Sequence, residues 1–143
     1  MKIFNRRAKH DYFLLESIEA GIALTGNEAK SLLLGRAELG SSFVRIRDGE
    51  AWLVGVNIPP HGGIQGHDPL RLRKLLLNKE EITSLETKMK QQKLTLVPVS
   101  LYNKGRLIKA KLALARGKRQ FEKREAKRRK DLDREAEIAL KDR

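Results

Sequence analysis

The chain has 143 residues, 31 Lys+Arg against 18 Asp+Glu, and a formal net charge of +13, which fits one compact body with an extension and is short for two full domains. It has no cysteine, which excludes disulfide frameworks, thiolate zinc sites and cysteine nucleophiles. Its first residues lack a signal peptide's apolar core, and no stretch approaches 18 uninterrupted apolar residues, so the reading is a cytoplasmic protein without a membrane span, whose basic excess points to a polyanion, nucleic acid first.

Apolar residues make up 40% of the chain, enough for a core. A strand is predicted over 12–18 and a short one over 22–24. Thr25-Gly26-Asn27-Glu28 has the capping-box pattern and opens a helix over 28–34, which Gly35 stops. Over 43–47, Val44 and Ile46 alternate with Arg45 and Arg47, and Asp48-Gly49 supplies a tight hairpin turn. The returning strand over 51–58 places Trp52, Val54, Val56 and Ile58 on one side. Residues 59–66, with two prolines and three glycines, read as a loop. Asp68 and Pro69 read as N-cap and first residue of a helix over 70–77. Asn78 to Glu81 opens a further helix with Ile82, Leu85 and Met89 on one face. A second hairpin pairs 94–102 with 107–115, with Ile108, Ala110, Leu112 and Leu114 inward and Lys109 and Lys111 outward. Pro98 cannot donate to a ladder, so its strand is an edge or bulges there. The fold class is mainly β with short helices: an OB-like antiparallel barrel of about six strands.

The charge divides along the chain. Residues 1–115, the barrel, carry 19 Lys+Arg and 11 Asp+Glu; residues 116–143 carry 12 and 7. The second segment is too polar to build its own core. Glu125 with Arg129, Glu137 with Lys141 and Asp131 with Arg134 are favourable helical pairs, and Leu132, Ala136 and Leu140 form a thin apolar line. As a helix of about 22 residues the tail reaches ~33 Å. Ordering costs on the order of 1–2 kcal/mol per residue, so the tail is expected to be disordered when free and to fold against a negative surface.

Basic residues recur at Lys2, Arg6, Arg7 and Lys9, at Lys30 and Arg36, at Arg71, Arg73 and Lys74, and in the tail. No helix-turn-helix, zinc finger or basic zipper is present to read a major groove. With aromatics at 5%, recognition of folded RNA by shape and backbone fits better than a broad stacking platform. His10, His61 and His67 come with no phosphate-binding glycine loop, metal-ligand spacing or nucleophile elbow. The chain therefore reads as a non-enzymatic RNA-binding protein without cofactor or metal. A general ribosomal or RNA-chaperone protein is the alternative binding module, and an RNA-processing enzyme using His67 or His10 is the rival from another class.

Several segments carry a family resemblance: Asn5-Arg6-Arg7-Ala8-Lys9-His10-Asp11-Tyr12-Phe13, Glu19-Ala20-Gly21, Gly26-Asn27-Glu28-Ala29-Lys30-Ser31-Leu32, the run from Asp68 to Asn78, Leu94-Thr95-Leu96-Val97-Pro98, Leu101-Tyr102, and Leu114-Ala115-Arg116-Gly117-Lys118. In this order and over nearly the whole chain, the sequence resembles the SmpB family, the SsrA-binding proteins of bacterial trans-translation. The resemblance implies an OB-like barrel that binds the tRNA-like domain of transfer-messenger RNA (tmRNA). It further implies a monomer that enters the empty A site of a stalled ribosome, the alanyl-tmRNA being delivered with elongation factor Tu. The tail would occupy the decoding centre and vacant mRNA channel as a helix against ribosomal RNA. The family's RNA-binding positions fall on Asn5, Glu19 and Leu76, joined by the neighbouring Arg6, Arg7, Lys9, Lys30, Arg36, Arg71, Arg73 and Lys74. In the tail, Gly117 matches a glycine hinge. The ribosomal contacts implied are Lys118, Arg119, Phe121, Glu122, Lys123, Arg124, Lys127, Arg128, Arg129 and Lys130. Phe121-Glu122 departs from the family's usual His or Tyr followed by Asp: a phenyl ring stacks on a base but cannot hydrogen-bond to it.

Overall fold

A computed structural model describes residues 1–63, 65–118 and 120–141, with the side chains of 120–126, 137, 140 and 141 excepted. In the described residues the chain runs β1 (Lys2–Phe4), α1 (Arg6–Asp11), β2 (Tyr12–Ile22), α2 (Gly26–Leu33), β3 (Phe43–Arg47), β4 (Glu50–Val54), β5 (Arg73–Leu76), α3 (Lys79–Gln92), β6 (Thr95–Lys104), β7 (Leu107–Gly117) and α4 (Gln120–Lys141). The sheet order is β1-β6-β3-β4-β5-β2-β7, and an additional β6–β7 pairing closes six of the strands into a ring. All pairings are antiparallel. This is a closed but uneven barrel of the OB-like kind, with β1 added on the free stretch of the β6 edge. Leu32, Leu53, Leu75, Leu96, Leu101 and Leu112 fill its interior.

Local chemistry accounts for most of the elements. Thr25 Oγ1 accepts from the Glu28 N–H at 3.2 Å while Glu28 Oε1 accepts from the Thr25 N–H at 2.9 Å, so the expected capping box is formed. Asn78 and Glu81 repeat it at the start of α3, where Ile82 and Leu85 are buried. Asp48 (φ 53°) and Gly49 (φ 73°) both turn left-handed between the paired Arg47 and Glu50, the geometry a two-residue hairpin needs. In β7, Ile108, Ala110, Leu112 and Leu114 are buried and Lys109 and Lys111 lie outside. Register shifts between Pro98 and Ser100, placing the expected bulge at the proline.

Four expectations change. The helix over 70–77 does not form. Asp68 caps only a turn, its Oδ1 accepting from the Leu70 N–H at 3.0 Å, and the chain then enters β5 with Arg73 and Leu75 inside and Lys74 and Leu76 outside. Pairing to Ala51, Trp52 and Leu53 overrides the helix propensity of the leucine run. The strand over 51–58 ends at Val54, with Ala51 and Leu53 rather than Trp52 and Val54 on the core face. Gly55 (φ +82°) redirects the chain, so Val56 and Ile58 turn inward beyond it. The strand predicted over 12–18 runs on to Ile22 as β2, with a bulge between Leu14 and Ser17, and of the short strand predicted over 22–24 only Ile22 belongs to it. Finally, β1 and α1 carry no clear periodicity and were not expected. Asn5 builds α1, its Oδ1 accepting from the Ala8 N–H at 3.2 Å.

Candidate nucleic-acid interface

One buried ion cluster fixes the shape of the barrel beside β5. Arg73 is 0% and Glu28 1% exposed, with Arg73 Nε donating to Glu28 Oε2 at 2.6 Å. Arg71 Nη2 donates to Glu28 Oε1 at 2.6 Å. Arg73 also donates to the carbonyls of Val56 at 2.6 Å and Pro69 at 3.0 Å. Burial by itself raises the Glu28 pKa, but hydrogen bonds from Arg71, the Thr25 N–H and Arg73 outweigh it and bring the carboxyl to about 2. Burial pulls the Arg73 guanidinium down and Glu28 opposes it; Arg71 is held up by its bond to Glu28. Arg73, expected among the surface cations, is therefore an interior residue with its donors committed. Together with the half-buried Arg71 it ties α2 to β5 and to the loop after β4.

Outside that cluster lies an exposed sheet face. Glu19 on β2 stands opposite Lys111 on β7, Gly21 stands opposite Lys109, and Gly21 also pairs with Leu76 on β5. Leu76 is 58% exposed. It lies over Gly21, where an added Cβ would come within 3.3 Å of Leu76 Cδ1. Glycine here lets a leucine lie across the strand surface. The Tyr102 hydroxyl donates to Glu19, and Lys104 Nζ stands 3.0 Å from Glu19 Oε2. The Tyr102 hydrogen bond, then Lys104, lowers the Glu19 pKa. Burial, then Glu19, pushes the Tyr102 phenol up to about 12. Glu19 is thus a fixed anionic acceptor beside an apolar ledge, ringed by Lys104, Lys109 and Lys111. Lys74, next along β5, is exposed and pairs with Glu50 at 3.3 Å.

The remaining expected residues divide. Asn5 is buried, and its Nδ2 donates to the carbonyls of Pro98 at 2.8 Å and Leu39 at 3.3 Å. It holds α1 against the β6 bulge and presents no free amide outward. Arg6 and Lys9 are exposed on α1. Arg7 lies 3.4 Å from Asp11 and donates to Ser41 Oγ at 3.4 Å. Lys30 and Arg36 are exposed on and just after α2. Gly117 ends β7 opposite Tyr12, with nothing near an added Cβ, so in this conformation its backbone does not require glycine. Lys118 is anchored: its N–H donates to the Asp11 carbonyl at 2.9 Å, its Nζ to the Lys9 carbonyl at 3.1 Å, and the ammonium lies 5.1 Å from the Phe13 ring centre. Beyond it, Lys127, Arg128, Arg129 and Lys130 are exposed on α4. Arg119 and the side chains of Phe121, Glu122, Lys123 and Arg124 lie outside the described residues.

Two of the three histidines have polar partners, while His61 Nδ1 is buried without one and that residue is held through its backbone by Asn27. His67 Nε2 lies 2.7 Å from the Ile58 carbonyl and His10 Nδ1 lies 3.0 Å from Asp11. Among the described residues no three His, Asp or Glu gather as metal ligands, and no helix is long and apolar enough to cross a membrane.

The family model for SmpB protein matches residues 2–142. The chain belongs to the SmpB family. It is 51% identical over 139 residues to an SsrA-binding protein of Sulfurihydrogenibium sp. (strain YO3AOP1), covering 96% of this chain and 91% of that one. It is 48% identical over 142 residues to an SsrA-binding protein of Roseiflexus sp. (strain RS-1), covering 97% and 90%. A solved structure described as "tmRNA-SmpB: a journey to the center of the bacterial ribosome" superposes with a TM-score of 0.72 at 47% identity, over 90% of this chain and 95% of that one. The SmpB family binds RNA and is not enzymatic. Tyr102 and Lys104 were missed as partners of Glu19 because 83 and 85 residues separate them in sequence. The one available signal was their place beside the 103–106 turn.

Proposed function

We propose that this chain binds the tRNA-like domain of tmRNA and carries it, in the bacterial cytoplasm, to the A site of stalled ribosomes for trans-translation. The observation that carries the reading is family membership over residues 2–142, together with the likeness to a tmRNA–SmpB structure. The Glu19–Leu76 ledge supports it physically. A carboxylate repels phosphate, so an anionic acceptor inside a basic rim suits base-edge or ribose donors, while Lys104, Lys109 and Lys111 suit the backbone. In this reading Glu19, Leu76 and Lys74 contact the RNA elbow, with Arg6, Lys9, Lys30, Arg36 and the exposed edge of Arg71 adding phosphate contacts. The monomer acts on alanyl-tmRNA delivered with elongation factor Tu. Its tail, including Lys118 and Lys127 to Lys130, lies in the decoding centre and empty mRNA channel. Gel-shift competition tests the claim: unlabelled tmRNA displaces labelled tmRNA at far lower concentration than unstructured RNA or ordinary tRNA. Equal competition by all three would leave a general RNA chaperone.

A further inference from the structure

A second feature of the basic face is a groove of about 480 Å³ where β1 and α1 meet the β2–β7–β6 sheet. Its floor is opened by irregularity on both neighbours of β7. Register slips between Leu14 and Ser17 on β2 and between Pro98 and Ser100 on β6, and residues at both slips line the groove. Leu14, Val99 and Ala113 make it apolar, and Phe4, 59% exposed, forms one wall. An exposed phenylalanine on a three-residue strand contributes little to the core.

The charged residues of the lining are all basic. Lys2, Arg6, Lys9 and Lys111 line the groove and no carboxylate does. None of these four is in an ion pair among the described residues. Other surface grooves differ: Asp48 and Glu86 line one between β3 and α3, and Glu16, Glu80 and Glu81 line one beside α3. The Lys2 ammonium lies 5.0 Å from the Phe4 ring centre, so a cation and an aromatic face are offered together. The volume sits low in the range of about 300–1,000 Å³ for small-ligand sites, which suits one nucleotide and is too small for a helix. Lys111 belongs both to this rim and to the Glu19 ledge, standing opposite Glu19 in register, so the two surfaces are continuous.

We infer that this groove receives a single unstacked nucleotide of the bound RNA, its base against Phe4 and the apolar floor and its phosphates against the basic rim. The inference deepens the tmRNA-binding reading and rests on it. Stacking of a base on an aromatic side chain corresponds to about 5- to 150-fold in affinity on alanine substitution, and a phosphate contact to a unit or slightly less in the salt slope.

The test uses the full-length chain and tmRNA, with affinities measured from 50 to 200 mM salt. Phe4→Ala and Phe4→Leu each weaken binding about fivefold or more without changing the salt slope; Phe4→Tyr keeps wild-type affinity. Lys9→Ala lowers the slope by about 0.7–0.9. Circular dichroism melting confirms that each variant is folded. If the wild type binds tmRNA and Phe4→Ala and Phe4→Leu stay within twofold of it, the groove does not take a base, while the proposed function stands. If the wild type does not bind tmRNA, both fall.

Discussion

Replacing Glu28 by Gln keeps the shape of the side chain and removes the anion that compensates Arg73. The guanidinium is 0% exposed and retains only the Val56 and Pro69 carbonyls as full acceptors, so a nearly uncompensated charge is left inside the barrel. Removing one partner of a buried pair costs about 3–5 kcal/mol. The same contacts bring the Glu28 carboxyl from 4.5 to about 2, a shift that corresponds to about 3 kcal/mol of linked stability. Against a total of about 5–15 kcal/mol for a domain, this is a large fraction. Urea denaturation followed by the fluorescence of Trp52, the single tryptophan, measures it directly. Because the folded pKa is depressed, the stabilisation is complete above the unfolded value of about 4.5 and declines as pH falls toward about 2. Wild type and Glu28→Gln therefore differ most near neutral pH and converge as pH is lowered below about 4.5. A difference under about 1 kcal/mol at pH 7, or one independent of pH, refutes the claim that this cluster holds the barrel.

Other outcomes follow from the exposed ledge. Glu19→Gln, at a solvent-facing position, leaves thermal melting nearly unchanged but weakens tmRNA binding about tenfold or more, read by gel shift. Leu76→Asp does the same through lost apolar contact and a new repulsive charge, with circular dichroism checking the fold. Gly21→Ala keeps or slightly raises stability, because strand glycine is unfavourable by roughly 0.5–1 kcal/mol. The added methyl displaces Leu76, so tmRNA binding still falls about fourfold, the worth of roughly one buried methyl group. With six to ten phosphates contacted, tmRNA affinity of the full chain drops about 10³- to 10⁵-fold between 50 and 200 mM salt.

The elements legible in the sequence were those specified by nearby residues. Thr25 with Glu28, Asn78 with Glu81, and Asp48-Gly49 each encode their geometry within four positions, and all three form. The 70–77 segment failed because both readings fit it locally. Its caps and leucines favour a helix, while the alternation Arg73-Lys74-Leu75-Leu76 favours a strand, and only pairing to Ala51–Leu53 decides. The same misreading hid the role of Arg73, since an arginine at an inward strand position is visible only once the strand is known. Glu19 and Leu76 come from the family resemblance and Lys74 from the clustering of basic residues, each as a separate position. Their assembly across Gly21, with Tyr102 and Lys104 completing it, depends on barrel closure that no local pattern encodes. Asn5, an expected RNA-binding position, uses its side chain internally, fastening α1 to the β6 bulge.

In the proposed function the barrel holds the RNA and the basic tail works on the ribosome. Residues through Lys118 are fastened to the barrel by the Asp11 and Lys9 carbonyls, so a chain ending at Lys118 separates the two tasks. Peptide tagging on stalled ribosomes and tmRNA affinity, measured on that truncated protein, test the division most directly. The account predicts tmRNA affinity within a few-fold of the full chain and no tagging; tagging at the full-length level, or loss of tmRNA binding by a folded barrel, contradicts it.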